Sequence, residues 1–89
     1  MQVSASHILV PTLEQAQQLK SMISEGTSFA EVAGQHSLCP SRNAGGALGT
    51  FGPGQMVPQF EQATFALPVG EISEPVQTQF GWHLIHRTG

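Results

Sequence analysis

Positive charge is scarce in this chain. Lysine and arginine total three, Lys20, Arg42 and Arg87, and they are scattered. A groove that tracks a nucleic-acid backbone needs several clustered cations, and an anionic membrane surface is gripped in the same way. Neither partner is expected, and a net charge of -3 is too small to imply a basic one. All charged residues together make up 10% of the chain, whereas disordered tails are usually rich in charge. A folded domain is the expectation. A single cysteine, Cys39, rules out an internal disulfide framework. No apolar run approaches membrane-spanning length, and nothing near Met1 reads as a secretory signal. A cytoplasmic monomer is expected, with localisation open if the chain is an excised domain. Eighty-nine residues suffice for one small domain, residues 1–89, and not for two.

What is present reads as alternating short elements. Residues 3–10 end in an apolar run closed by Pro11, the pattern of a strand. Thr12 with Gln15 forms a capping-box signature, after which Leu13, Ala16, Leu19, Met22 and Ile23 recur at helical spacing until Gly26. A second box, Ser28 with Glu31, opens a shorter helix whose apolar face is Phe29, Val32 and Ala33. From Leu38 to Gly54 glycine and proline dominate, predicting a long loop with at most a short strand around Leu48–Phe51. Loops of that length in a compact domain usually carry function. Pro58 suits the first turn of a third helix lined by Phe60, Ala63 and Leu67, and Pro68 stops it. Ile72–Gln77 reads as a strand weakened by Pro75, and Gly81–Arg87 as the last strand. The order is β-α-α-β-α-β-β, an α+β domain with helices over a largely antiparallel sheet.

Few residues could do chemistry. His7 and His83 each sit mid-strand among apolar neighbours, which invites a pairing of two imidazoles, one donating and the other accepting. On pattern alone they read equally as a satisfied core pair. Cys39, at the lip of the glycine-rich loop, is either a half-buried small hydrophobe or a polarisable thiol facing a cleft. Leu48, Met56 and Phe60 follow; such residues usually belong to a core, yet beside a polar loop they would also suit a proline ring. Cys39 with a histidine suggests a cysteine hydrolase, although that chemistry usually needs a larger scaffold. The spacing His36-x-x-Cys39 suggests zinc, although structural sites favour four ligands and paired cysteines.

Taken together the positions resemble the parvulin family of peptidyl-prolyl cis/trans isomerases. Ser6-His7-Ile8-Leu9-Val10 is similar to its first-strand histidine motif, and His36-Ser37-Leu38-Cys39-Pro40-Ser41 to a segment carrying cysteine or aspartate. Gly45-Gly46-Ala47-Leu48-Gly49-Thr50-Phe51 resembles its glycine-rich loop, and Gly54 to Glu61 the stretch that supplies a proline pocket. Gly70 to Val76 and then Phe80-Gly81-Trp82-His83-Leu84-Ile85 resemble its closing strands. The likeness is greatest to the small, stand-alone bacterial members.

The resemblance implies a four-stranded antiparallel sheet surrounded by three main helices and a short helical turn. It assigns His7, Cys39, His83 and Thr78 to the catalytic centre, and Leu48, Met56 and Phe60 to the proline pocket, with Gln55 and Phe80 at its rim. It implies no cofactor and no metal, and proline-containing or partly folded polypeptides as partners. Ala47 stands where many relatives carry aspartate. The basic cluster of phosphate-specific members is missing, since no lysine or arginine precedes Lys20. Unphosphorylated Xaa-Pro bonds with an apolar Xaa are the expected substrate. A binding module that keeps the fold without catalysis is the alternative.

Overall fold

The computed structural model describes residues 2–89. Its elements in chain order are β1 (Val3–Val10), α1 (Leu13–Ser24), α2 (Phe29–His36), a short 3-10 helix (Pro40–Ala44), β2 (Ala47–Phe51), α3 (Pro58–Ala66), β3 (Val76–Thr78) and β4 (Gly81–Arg87). The strands form one antiparallel sheet in the order β2-β1-β4-β3. This is the α+β architecture that the sequence predicts, and the 3-10 helix supplies the short helical turn.

The two-residue period of a strand divides the core. Ile8 and Val10 of β1 and Leu84 of β4 face α1 and α2, where they pack with Leu19, Phe29 and Val32. Val3 and Ala5 of β1 and Ile85 of β4 face the other way, packing with Phe51 and with Phe60 of α3. His7 and His83 share the parity of Val3 and Ile85, so both histidines lie on the α3 face.

Local chemistry sets the boundaries. Thr12 Oγ1 accepts from Gln15 N at 3.2 Å and Ser28 Oγ from Glu31 N at 3.1 Å, which starts α1 and α2 where the capping signatures predict. Pro40 and Pro58 stand at the first turns of their helices, where a missing N–H costs nothing. The sheet joins the glycine-rich segment through His7 N, which donates to Gly46 O at 2.9 Å. Gly46 has φ 85°, and a Cβ there would lie 2.4 Å from the His7 carbonyl oxygen. Only glycine fits this position.

Two sequence expectations change. The loop predicted from Leu38 to Gly54 is largely structured, because the 3-10 helix and five residues of β2 lie within it. The strand predicted over Ile72–Gln77 shrinks to Val76–Thr78, with Ile72 making an isolated bridge to His86. Pro75 has no N–H to give to a ladder and holds Glu74 in an extended conformation, so regular pairing starts after it.

Candidate active site

β1 and β4 bring the histidines together on a diagonal. His7 is opposite Ile85, and His83 is opposite Leu9. The rings stack at 18° with centroids 5.2 Å apart, and the two Nδ1 atoms are 3.0 Å apart. One Nδ1 must donate and the other accept. Thr78, at the end of β3, sets its Oγ1 2.7 Å from His83 Nε2 and accepts from Phe80 N at 3.2 Å. The chain Thr78–His83–His7 therefore has two self-consistent proton arrangements. If the Thr78 hydroxyl donates to His83, then His83 Nδ1–H donates to His7 and the His7 proton resides on Nε2. If His7 Nδ1–H donates to His83, then His83 Nε2–H donates to Thr78 and His7 Nε2 is bare. His7 Nε2 is buried with no hydrogen-bond partner.

Both rings are held neutral. Burial first, and then the neighbouring His83, lower the His7 pKa from 6.5 to about 4. Burial also lowers that of His83. Phe60 contributes to the same dry setting, standing edge-on to His7 at 5.4 Å and to His83 at 5.2 Å.

In front of the pair opens a cavity of about 490 Å³. His7, His83, Cys39, Leu48, Met56, Phe60, Gln55 and Phe80 all line it. Thr78 lies behind, against His83. Leu48 gets there through a bulge: Ser6 pairs with Ala47 and Ala5 with Gly49, leaving Leu48 without a partner on β1. Gly49 takes φ 77° to make this possible. Gln55 uses its Oε1 to accept from Gly52 N at 2.8 Å, tying the loop that presents Met56. Cys39 is half-buried, immediately before the 3-10 helix.

Sequence reasoning missed Leu9, Leu38, Pro40 and Val57, which also line the cavity. Leu38 and Pro40 flank Cys39, so adjacency alone could have flagged them. Among the described residues no lysine, arginine, aspartate or glutamate lines the cavity.

The two chemical rivals do not match this geometry. Both nitrogens of His83 are engaged by His7 and Thr78, His7 Nδ1 is engaged by His83, and His7 Nε2 has no partner, so neither ring is hydrogen-bonded to the thiol as a hydrolase requires. Among the described residues no three of His, Cys, Asp and Glu are grouped to hold a metal ion, and His36-x-x-Cys39 gains no third donor.

Comparison with known proteins places this architecture. The family model described as "Rotamase: PPIC-type PPIASE domain" matches residues 7–89. The foldase protein PrsA of Geobacillus sp. (strain WCH70) is 46% identical over 87 residues, which cover 97% of this chain and 32% of that protein. The crystal structure of PrsA from Bacillus anthracis superposes with a TM-score of 0.97 at 44% identity, over 99% of this chain and 41% of that one. NmPin, the parvulin of Nitrosopumilus maritimus, superposes with a TM-score of 0.90 at 39% identity, over 99% of this chain and 96% of its own. The class is thus a rotamase domain, and the chain belongs to the parvulin family of peptidyl-prolyl cis/trans isomerases. It spans about a third of the length of the curated PrsA relative.

Proposed function

We propose that residues 1–89 act as one isomerase domain that speeds rotation about unphosphorylated Xaa-Pro bonds with an apolar Xaa, and so assists folding. The observation that carries this reading is the uncharged, apolar cavity with Cys39 and a neutral histidine pair at its wall. Rotating a peptide bond costs about 18–20 kcal/mol because amide resonance is lost in the twisted state. No bond has to be made to lower that barrier. Leu48, Met56 and Phe60 hold the proline ring while the preceding carbonyl swings past Cys39. A water-poor site disfavours the charge-separated planar amide relative to the twisted one, and contacts made only to the twisted form raise the rate. Cys39 shapes the local field as a polarisable group. His7, His83 and Thr78 fix the wall behind it, and Gln55 and Phe80 border the entrance.

Phosphate before the proline would enter this cavity without a cation to meet it, and arginine or lysine is how phosphate is usually read. The names of the PrsA relatives describe foldases, in keeping with partly folded polypeptides as substrates. All the proposed catalytic side chains come from one copy of the chain, so a monomer suffices, and an unpaired Cys39 thiol suits the reducing cytoplasm.

Two-dimensional exchange NMR on Ala-Xaa-Pro-Phe peptides with catalytic amounts of protein tests the proposal. Cis–trans cross-peaks should appear only with protein, be strongest for apolar Xaa, and gain nothing from phosphoserine. Saturable shift changes without exchange peaks would instead identify a binding module on this fold.

A further inference from the structure

Beside the cleft lies a second groove of about 330 Å³. Val10, Leu19 and Met22 give it an apolar floor, and Gln15, Gln18 and His36 are on its walls. Leu38 lines both cavities, so the two adjoin at that side chain. We infer that the polypeptide undergoing isomerisation continues over Leu38 into this groove, which takes an apolar side chain two to four residues before the proline. The inference rests on the isomerase reading above and extends it to the substrate's upstream residues.

Direction comes from the order of contacts. With the proline ring at Leu48, Met56 and Phe60 and the preceding carbonyl at Cys39, Leu38, next to Cys39 and shared by both cavities, offers the residues before the proline a way out of the cleft. The ridge is held rigidly. Leu38 N donates to Leu9 O at 2.8 Å, and the buried Ser37 Oγ accepts from Leu9 N at 3.1 Å and from Cys39 N at 3.3 Å. Leu38 is nevertheless 59% exposed. Leu38 and Phe80, 60% exposed, both border the cleft, and apolar surface gathered at a cleft marks an interaction site where single exposed leucines would not.

Reach and charge agree. An extended chain advances about 3.3–3.6 Å per residue, so two to four residues cover roughly 7–14 Å, enough to step over one leucine. Among the described residues His36 is the one ionisable group on the groove wall, and no Lys, Arg, Asp or Glu lines it. An uncharged apolar segment matches both cavities.

The test compares two peptides that differ at one position, Leu-Ala-Ala-Pro-Phe and Ser-Ala-Ala-Pro-Phe, both blocked at their ends. The leucine peptide should show kcat/KM about fivefold higher, a modest pocket effect for an open groove, and should shift the amide signals of Leu19, Met22 and Leu38. Gln18→Glu, on an exposed position, and Met22→Glu should each bring the ratio of the two peptides close to one. Equal kcat/KM with shifts confined to the cleft would overturn the groove and leave the isomerase reading intact. If neither peptide is isomerised, that reading fails, and the groove is then judged on the shifts at Leu19 and Met22 alone: present for the leucine peptide they support it, absent they overturn it.

Discussion

At the scale of single residues, the proposed site separates groups that can be altered from groups that cannot. Phe60 is 3% exposed and packs with Phe51, Val3 and Ile85 while its ring also faces the cleft. Core and pocket, which read as alternatives in the sequence, are here one residue. Phe60→Ala would cost about 3–5 kcal/mol in cavity formation, a large share of the ~5–15 kcal/mol that holds a small domain together. Met56 is half-buried and is the better probe. Met56→Ala should lower kcat/KM on the order of 10–100-fold with a shift in melting temperature of only a few degrees. Unchanged kinetics in a folded Met56→Ala would remove the proline ring from this pocket. Cys39 discriminates the mechanism. A field-shaping role tolerates Cys39→Asp, whereas a covalent one does not. The Asp variant should keep activity within about tenfold of the parent, roughly 1.4 kcal/mol in barrier. A folded variant with none would overturn the non-covalent account.

At the scale of elements, α3 is the part on which the pocket depends, and its C-terminus is tied to the last strand. Arg87 Nη1 donates to Leu67 O at 2.8 Å and to Phe65 O at 3.4 Å. A cation on the final carbonyls of a helix satisfies orphan acceptors and meets the negative end of the dipole. Arg87→Gln should destabilise the domain by about 1–2 kcal/mol and raise KM more than it lowers kcat, because α3 carries Phe60. Thermal melts and steady-state kinetics on the same sample check this; a KM equal to the parent's would uncouple α3 from substrate binding. Element order was legible from periodicity and caps, because the two-residue and helical periods report directly which face is buried. The histidine pairing and the grouping of the pocket residues were legible, but not the register that produces them. Leu48 enters the cleft because a bulge removes it from the ladder, and His7 meets His83 across a diagonal instead of an opposed pair. Register of this kind is fixed by long-range pairing, which local pattern does not encode. The weakness of the strand over Ile72–Gln77 was legible at Pro75, though not that its missing N–H would delay regular pairing until Val76. Leu38 could have been flagged by its place beside Cys39, but its exposure could not, since that depends on Ser37 and Leu9 holding the turn.

At the scale of the whole molecule, the sheet has two unequal faces. One is covered by α1 and α2 over a mainly apolar core, with His86 against Phe29 at its edge; the other buries an imidazole pair beside Phe60. The pair makes stability depend on pH, and the sign follows from the direction of the shifts. The His7 pKa falls to about 4 in the folded chain, against 6.5 for a free histidine. Between those values the unfolded chain binds the extra proton and the folded one does not, so acid favours unfolding. The stabilising contribution is complete above pH 6.5, declines as pH falls toward 4, and is constant below. Its size is on the order of 3 kcal/mol, from about 1.4 kcal/mol per pKa unit. The lowered His83 value acts in the same sense, and a second proton on the pair would set two N–H groups against each other across the 3.0 Å contact. Carboxylates also titrate near pH 4, so the comparison is with His7→Leu, in which they remain. The parent should lose on the order of 10–20 °C in melting temperature between pH 7 and pH 4.5 beyond what the variant loses, since about 1 kcal/mol moves a domain of this size by ~4–8 °C. The parent's His7 ring signals should titrate near pH 4 in the folded state. Parallel melting curves for the two proteins, with a His7 that titrates normally, would mean that water reaches the pair and that the dry wall invoked for catalysis is absent.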